Sequence, residues 1–310
     1  MSADTITTKK FISRILNSEE SLIKSDLTRL SSLPANEIDY LEKKWQKADL
    51  QRRRQIISYL VELTLKHFVL DFTEIYRFCL KEKDAKIRAE SIIALAEEEN
   101  PLFIDSFVNV MKEDSSREVR LASTAALGKL SMQGELGKIS EKNTDTVYNA
   151  LLDILDEKHE NSSVRASALE AIAPLSKPRV KGLIEEAYHS EEKVLKVSAI
   201  RAMGRNCNRM WLTALIDELQ NNDDKLRYEA AKACGELGEE DAVLYLIDLV
   251  EDENPRIIEA AIMSIGEIGG EEAREILSRL TDNPKPRIRQ SAKKALQELE
   301  ICEDPLSMNF

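Results

Sequence analysis

The stretch "LRYEAAKACGELG" at residues 226–238 recurs almost unchanged 31 residues later as "IIEAAIMSIGEIG". With the apolar residue that opens it as position zero, equivalents fall at Ile87, Val119, Val164, Leu195, Leu226, Ile257 and Ile288. The spacings are 32, 45, 31, 31, 31 and 31 residues. A near-constant period of this length predicts stacked copies of one supersecondary unit, each burying its apolar face against the next.

The columns say which unit. Position four is Ser91, Ser123, Ala168, Ala199, Ala230, Ala261 and Ala292; position seven is Ala94, Ala126, Ala171, Ala202, Ala233, Ser264 and Ala295. Position eight is larger: Leu95, Leu127, Ile172, Met203, Cys234, Ile265 and Leu296. Offsets of four, seven and eight lie on one face of an α-helix. The small residues let helices approach, and the larger one fills the core. Gly128, Gly204, Gly235 and Gly266 follow near the helix ends, and Gly238 and Gly269 read as helix stops. Ahead of each copy, stretches such as "WLTALIDELQ" (211–220) and "EDAVLYLIDLVED" (240–252) read as a first helix. Between the two, Glu82, Asp114, His159, Ser190, Asn221, Asp252 and Asn283 stand five residues before position zero, a turn or N-cap column. The expected unit is helix, polar turn, helix, with no strand signal.

Position one is Arg88, Arg120, Arg165, Lys196, Arg227, Ile258 and Arg289. A polar turn followed by "VR" or "LR", alanines and "GELG" resembles the HEAT repeat, in the short form of phycobilisome-lyase-like and many bacterial HEAT proteins. The resemblance covers residues 83–300 well and 35–82 loosely. It implies an all-α, right-handed α-solenoid in which Arg88, Arg120, Arg165, Lys196, Arg227 and Arg289 form a structural ladder with turn acids, weakened at Ile258.

The expected organisation is a divergent helical N-terminal cap over 1–82 and an array of seven HEAT-like units over 83–310. The cap is aromatic-rich, has three alanines before Ala85, and lacks glycine. In the last unit position five turns from apolar to Lys293, with Lys294 beside it, as the outer face of a final repeat requires. The 45-residue unit carries an insertion at 131–145, expected as an edge loop.

Chemistry is sparse. His67, His159 and His189 lie in different units, outside any HxH or HExxH pattern, and no GxSxG or P-loop occurs. Deoxyhypusine hydroxylases, also HEAT proteins, carry repeated His-Glu pairs that hold two irons; His159-Glu160 is a single such pair. Neither metal nor cofactor is expected. Four scattered cysteines without a CxxC pair suggest buried free thiols in a reducing cytoplasm. The net charge is −12, and all of that excess lies beyond residue 80, which disfavours nucleic acid. No apolar run approaches the roughly 20 residues of a membrane span.

Two charged features stand out. "QRRRQ" (51–55) reads either as an anion contact or as a solvated face paired with acids. Arg201, Arg205, Asn208, Arg209, Trp211 and Tyr228 combine arginine with aromatics as binding hot spots do, with Trp211 either a core residue or a surface anchor. The expected function is a non-enzymatic, cytoplasmic scaffold binding a protein partner along the face of the second helices. The alternative is a lyase-like or cofactor-handling protein.

Overall fold

The computed structural model describes residues 3–67 and 69–303, and every regular element among them is a helix. Two compact units divide the chain, Met1–Ala150 and Leu151–Phe310. The first holds α1 (Ala3–Ile15), α2 (Ala35–Trp45), α3 (Leu50–Lys66), α4 (Thr73–Cys79), α5 (Ala85–Ala96), α6 (Ile104–Glu113) and α7 (Arg117–Glu135). The chain passes through α8 (Glu141–Asp156) into the second unit. There follow α9 (Ser162–Ile172), α10 (Pro178–Tyr188), α11 (Lys193–Asn206), α12 (Leu212–Leu219) and α13 (Asp224–Leu237). The unit closes with α14 (Val243–Leu246), α15 (Pro255–Ile268), α16 (Gly270–Leu280) and α17 (Pro286–Glu303). Both units are α-solenoid: second helices pack against their first helices, as α7 does on α6 and α13 on α12, and against the second helices of adjacent hairpins, as α11, α13, α15 and α17 do in turn.

The column residues build this stack. Every position-four side chain is fully buried, from Ser91 to Ala292, and position seven is at most 3% exposed. Gly204 explains why both must be small: a Cβ there would lie 2.9 Å from Cα of Ala233, the position-seven residue of the next helix. Gly266 meets Ala295 the same way, with a Cβ 3.0 Å from Cβ of Ala295. Glycine backbone thus rides on alanine at these two crossings, and on Ser264 at Gly235. At position five, Ile92, Thr124, Leu169, Ile200, Ala231 and Ile262 are buried, whereas Lys293 is exposed, as is its neighbour Lys294.

The turn column works in two stages. Asp114, Ser190, Asn221, Asp252 and Asn283 each accept the backbone N–H two residues on, at 2.7–3.1 Å. The residue reached this way is the N-cap in the next stage: Asp223 accepts from Lys225 N at 2.9 Å and Asn254 from Arg256 N at 3.0 Å. Both orphan donors and helix direction are settled within five residues.

Four expectations change. Segment 131–145 is no edge loop: it lengthens α7 and α8, leaving only 136–140 as turn. Leu130, Ser131, Thr144 and Val147 are buried, and a Cβ on Gly134 would come 2.6 Å from Oγ1 of Thr144, so the extra residues pack against one another. Segment 240–252 is α14 between two short 3₁₀ turns rather than one regular helix. Cys79 and Cys234 are buried free thiols, but Cys207 is exposed, because it ends α11 in a left-handed conformation (φ 48°); the Cys302 side chain lies outside the described residues. "QRRRQ" is paired with acids as one reading had it, and Gln51 and Gln55 are exposed, but its first arginine is buried. Arg52 is 7% exposed and donates from Nη2 to the carbonyls of Asn17 (2.9 Å) and Glu20. Arg53 binds buried Glu82, which also accepts from Trp45 Nε1 at 3.0 Å, and Arg54 grips Asp84 at 3.0 and 2.6 Å.

Candidate partner-binding groove

The second helices of the second unit, α9, α11, α13 and α15, leave one face uncovered, and two cavities open along it. One, about 720 Å³, lies over α13 and α15 and is lined by Tyr228, Lys232, Glu259, Ala260, Met263 and Glu267 among others. The other, about 270 Å³, is lined by Glu170, Arg201, Arg205, Ala233 and Glu236. They share Tyr228, Glu229 and Lys232 as walls, so they form one continuous groove.

Charge along the groove is arranged in two ways. At the α9–α11 end it is paired: Arg201 donates to Glu229 at 2.8 and 2.5 Å and to Glu170 at 3.2 Å. Arg205 lies 3.3 Å from Glu170. The hydrogen bonds that Arg201 donates to Glu229 hold its guanidinium above its ordinary pKa. Along the C-terminal ends of α13 and α15, where the two cavities adjoin, carboxylates are crowded. Desolvation in the groove raises the Glu236 carboxyl, with Glu170 and Glu229 adding to it and Arg205 and Lys232 opposing. Desolvation likewise raises Glu267, helped by Glu236 and Glu298 and opposed by Lys232. Each glutamate lies over bare backbone: Oε2 of Glu236 is 3.0 Å from where a Cβ on Gly204 would sit, and Glu267 covers Gly235 in the same manner.

The six residues singled out by sequence are dispersed. Arg201, Arg205 and Tyr228 line the groove. Asn208 caps the 3₁₀ turn that follows α11, accepting from Met210 N at 3.1 Å. Arg209 lines neither groove cavity and binds Glu239 and Asp241 (2.5 Å to the latter) at the next turn. Trp211 is 5% exposed, a core residue; its Nε1 donates to Asn206 at 3.0 Å, and Asn206 donates to the carbonyl of Ala173 at 2.8 Å. The left-handed turn at Cys207 separates the two groups.

The position-one residues behave as follows. Arg88 grips Asp114 of the following turn through two 2.8 Å hydrogen bonds and its own turn through the Glu82 carbonyl at 2.6 Å. Arg227 repeats this with Asp252 (2.8 and 3.2 Å) and the Asn221 carbonyl (2.8 Å). Arg120 and Arg289 donate to the turn carbonyls of Asp114 and Asn283. Lys196 pairs instead with buried Glu218 at 2.8 Å, which also accepts from Tyr188. Arg165 has a buried Nε without a partner, and the turn column that would face it carries Ser190. Sequence reasoning missed Glu170, Glu229, Glu236, Glu267 and Met263. Among the described residues, no three His, Cys, Asp or Glu side chains group to hold a metal ion. None of their helices is long and apolar enough to cross a membrane.

Residues 212–297 match the family of HEAT repeats. This stretch, from α12 to α17, is therefore the part of the chain that carries a recognisable HEAT sequence. Among solved structures, its fold is similar to the complex of CpcE and CpcF of phycocyanin lyase from Nostoc sp., at TM-score 0.52 and 16% identity, covering 86% of this chain and 98% of that one. It is also similar to yeast importin-beta, at TM-score 0.56 and 10% identity over 97% of this chain, which spans 47% of the importin. Among curated proteins no sequence matches.

Proposed function

We propose that this HEAT-repeat protein is a non-catalytic cytoplasmic scaffold that seats a protein partner along the groove of α9, α11, α13 and α15. The observation that supports this reading is the groove's continuity: two cavities with shared walls, an apolar floor at Tyr228, Ala260 and Met263, and charged side chains on either side. Interfaces combine such a floor with a polar rim. Arg201 and Arg205 are already oriented by Glu170 and Glu229, so a partner would meet them as fixed donors. A lyase-like role draws only on likeness of fold, which serves many functions.

The test is site-specific photo-crosslinking in cells, with the reactive residue placed at Met263 in the groove or at Tyr245 on α14, 43% exposed and outside the groove. Discrete adducts from Met263 and not from Tyr245 are expected. Equal labelling from both positions would refute the groove as the binding face.

A further inference from the structure

The α13–α15 end of the groove carries charge that works against the fold. Glu236 and Glu267 lie in the last turns of α13 and α15, beside the negative ends of the helix dipoles, and Glu298 of α17 is close enough to raise Glu267. Lys225 and Arg256 lie in the first turns of α13 and α15, beside the positive ends. Both placements are the reverse of what stabilises a helix. The carboxylates are nonetheless positioned rather than loose, each laid across the glycine of the preceding helix, Gly204 for Glu236 and Gly235 for Glu267. Apart from the raised pKa that desolvation and like charges produce, these groups have one nearby cation in common, Lys232.

We propose that this end of the groove binds a protein segment carrying a lysine or arginine, whose cationic head sits over Glu236 and Glu267 and whose stem lies on Tyr228, Ala260 and Met263. Charge complementarity selects this occupant. The edge at the C-terminal ends of α13 and α15 combines two carboxylates with the carbonyl ends of two helices, which attract a cation, while Lys225 and Arg256 lie at the opposite ends of these helices. The floor is apolar, and long cationic side chains cover such surface with their stems while keeping the head at a polar edge. An acidic segment would meet repulsion from Glu236, Glu267 and Glu298 together. At the other end of the groove Arg201 pairs with Glu170 and Glu229 and Arg205 with Glu170, so they can donate hydrogen bonds to a partner but attract an acidic one less than free arginines would.

The inference rests on the groove being the binding face, and its test is separate from that one. Fluorescence anisotropy of the full chain would be measured with a labelled decapeptide of alternating lysine and leucine, and with its glutamate–leucine counterpart. Two variants of equal net charge are compared: Glu236→Gln/Glu267→Gln in the groove and Glu271→Gln/Glu272→Gln on the exposed start of α16. The lysine peptide should bind wild type in a salt-dependent manner, lose about tenfold in affinity on the groove variant, and lose little on the α16 variant. Both variants should fold: the groove change removes two desolvated like charges, and Glu271 and Glu272 are exposed surface residues. Equal losses from the two variants, no loss from either, or tighter binding of the glutamate peptide would overturn the proposal. If crosslinking at Met263 persisted in the groove variant undiminished, the groove would stand and the cation site would fall.

Discussion

Alanine at Gly204 and alanine at Gly238 should damage the second unit by two different routes. Gly204 sits inside α11, where alanine is intrinsically the better helix former by about 1 kcal/mol. Its Cβ would, however, stand 2.9 Å from Cα and 3.0 Å from the carbonyl oxygen of Ala233, both backbone atoms that yield only if α11 and α13 separate. Overpacking of this kind costs about 1–3 kcal/mol. The same Cβ would also push Oε2 of Glu236 off its seat, so a net loss of about 1 kcal/mol is expected. A Cβ on Gly238 would meet nothing within 4 Å, but the residue's φ is +73°. There the loss, again about 1 kcal/mol, is purely conformational. Asparagine separates the two: it tolerates the left-handed region, so Gly238→Asn should recover most of what Gly238→Ala loses, whereas Gly204→Asn should be worse than Gly204→Ala. Urea unfolding followed by far-UV circular dichroism reads all four midpoints. A Gly204→Ala protein as stable as wild type would mean that α11 and α13 do not need to touch through backbone, and the packing argument for the small-residue columns would fail.

Cys207 fills the same left-handed slot with a side chain (φ 48°), so Cys207→Gly should raise stability by about 0.5–1 kcal/mol in the same urea titration; no gain would show that the slot is unstrained. Stability should also depend on pH in a mildly acidic window. Glu90, Glu236 and Glu267 are raised above the ordinary glutamate value of 4.5, mainly by desolvation, so the stability they contribute is complete below 4.5 and lost as pH rises through their folded values. Asp84, Asp114, Asp223 and Asp252 are lowered below 3.8 by their arginine, lysine and backbone partners, so theirs is complete above 3.8 and lost below it. Melting temperature should therefore climb from pH 7 to about pH 4.5 and fall below about pH 3.8, with a shallower climb in Glu236→Gln/Glu267→Gln; a flat profile from pH 7 to 4.5 would contradict the desolvation of these carboxyls.

The packing of the repeats was legible because it constrains size at fixed intervals. Positions four and seven admit only small side chains where helices cross, and that requirement prints itself every 31 residues. The left-handed residue twelve after position zero was legible in two copies only. Gly238 and Gly269 announce a positive φ there, Gly238 with ψ 18° and Gly269 with ψ −159°, but Cys207 and Glu99 adopt φ values of 48° and 47° in the same slot without glycine, so the positive φ is shared while its usual signal is absent. Segment 131–145 misled for the opposite reason: its glycines and polar residues suggested a loop, yet Gly134 serves a helix crossing against Thr144.

The site was harder to see because proximity along the chain is a poor guide in a solenoid. Arg205 and Arg209 are four residues apart, but the turn at Cys207 sends one to the groove and the other to Glu239 and Asp241. Arg205, Glu236 and Glu267 are 31 residues apart, yet each occupies position ten of successive helices, and Arg205 and Glu267 both perturb Glu236 or are perturbed by it. Read down that column, the chain places one arginine and then three glutamates, Glu236, Glu267 and Glu298, of which Arg205, Glu236 and Glu267 line the groove. Periodic size reports what holds helices together; periodic charge at a position the packing leaves uncovered reports what the face can attract. A position so regular in place and so unfavourable to helix stability is better explained by what lies opposite it than by the helices that carry it.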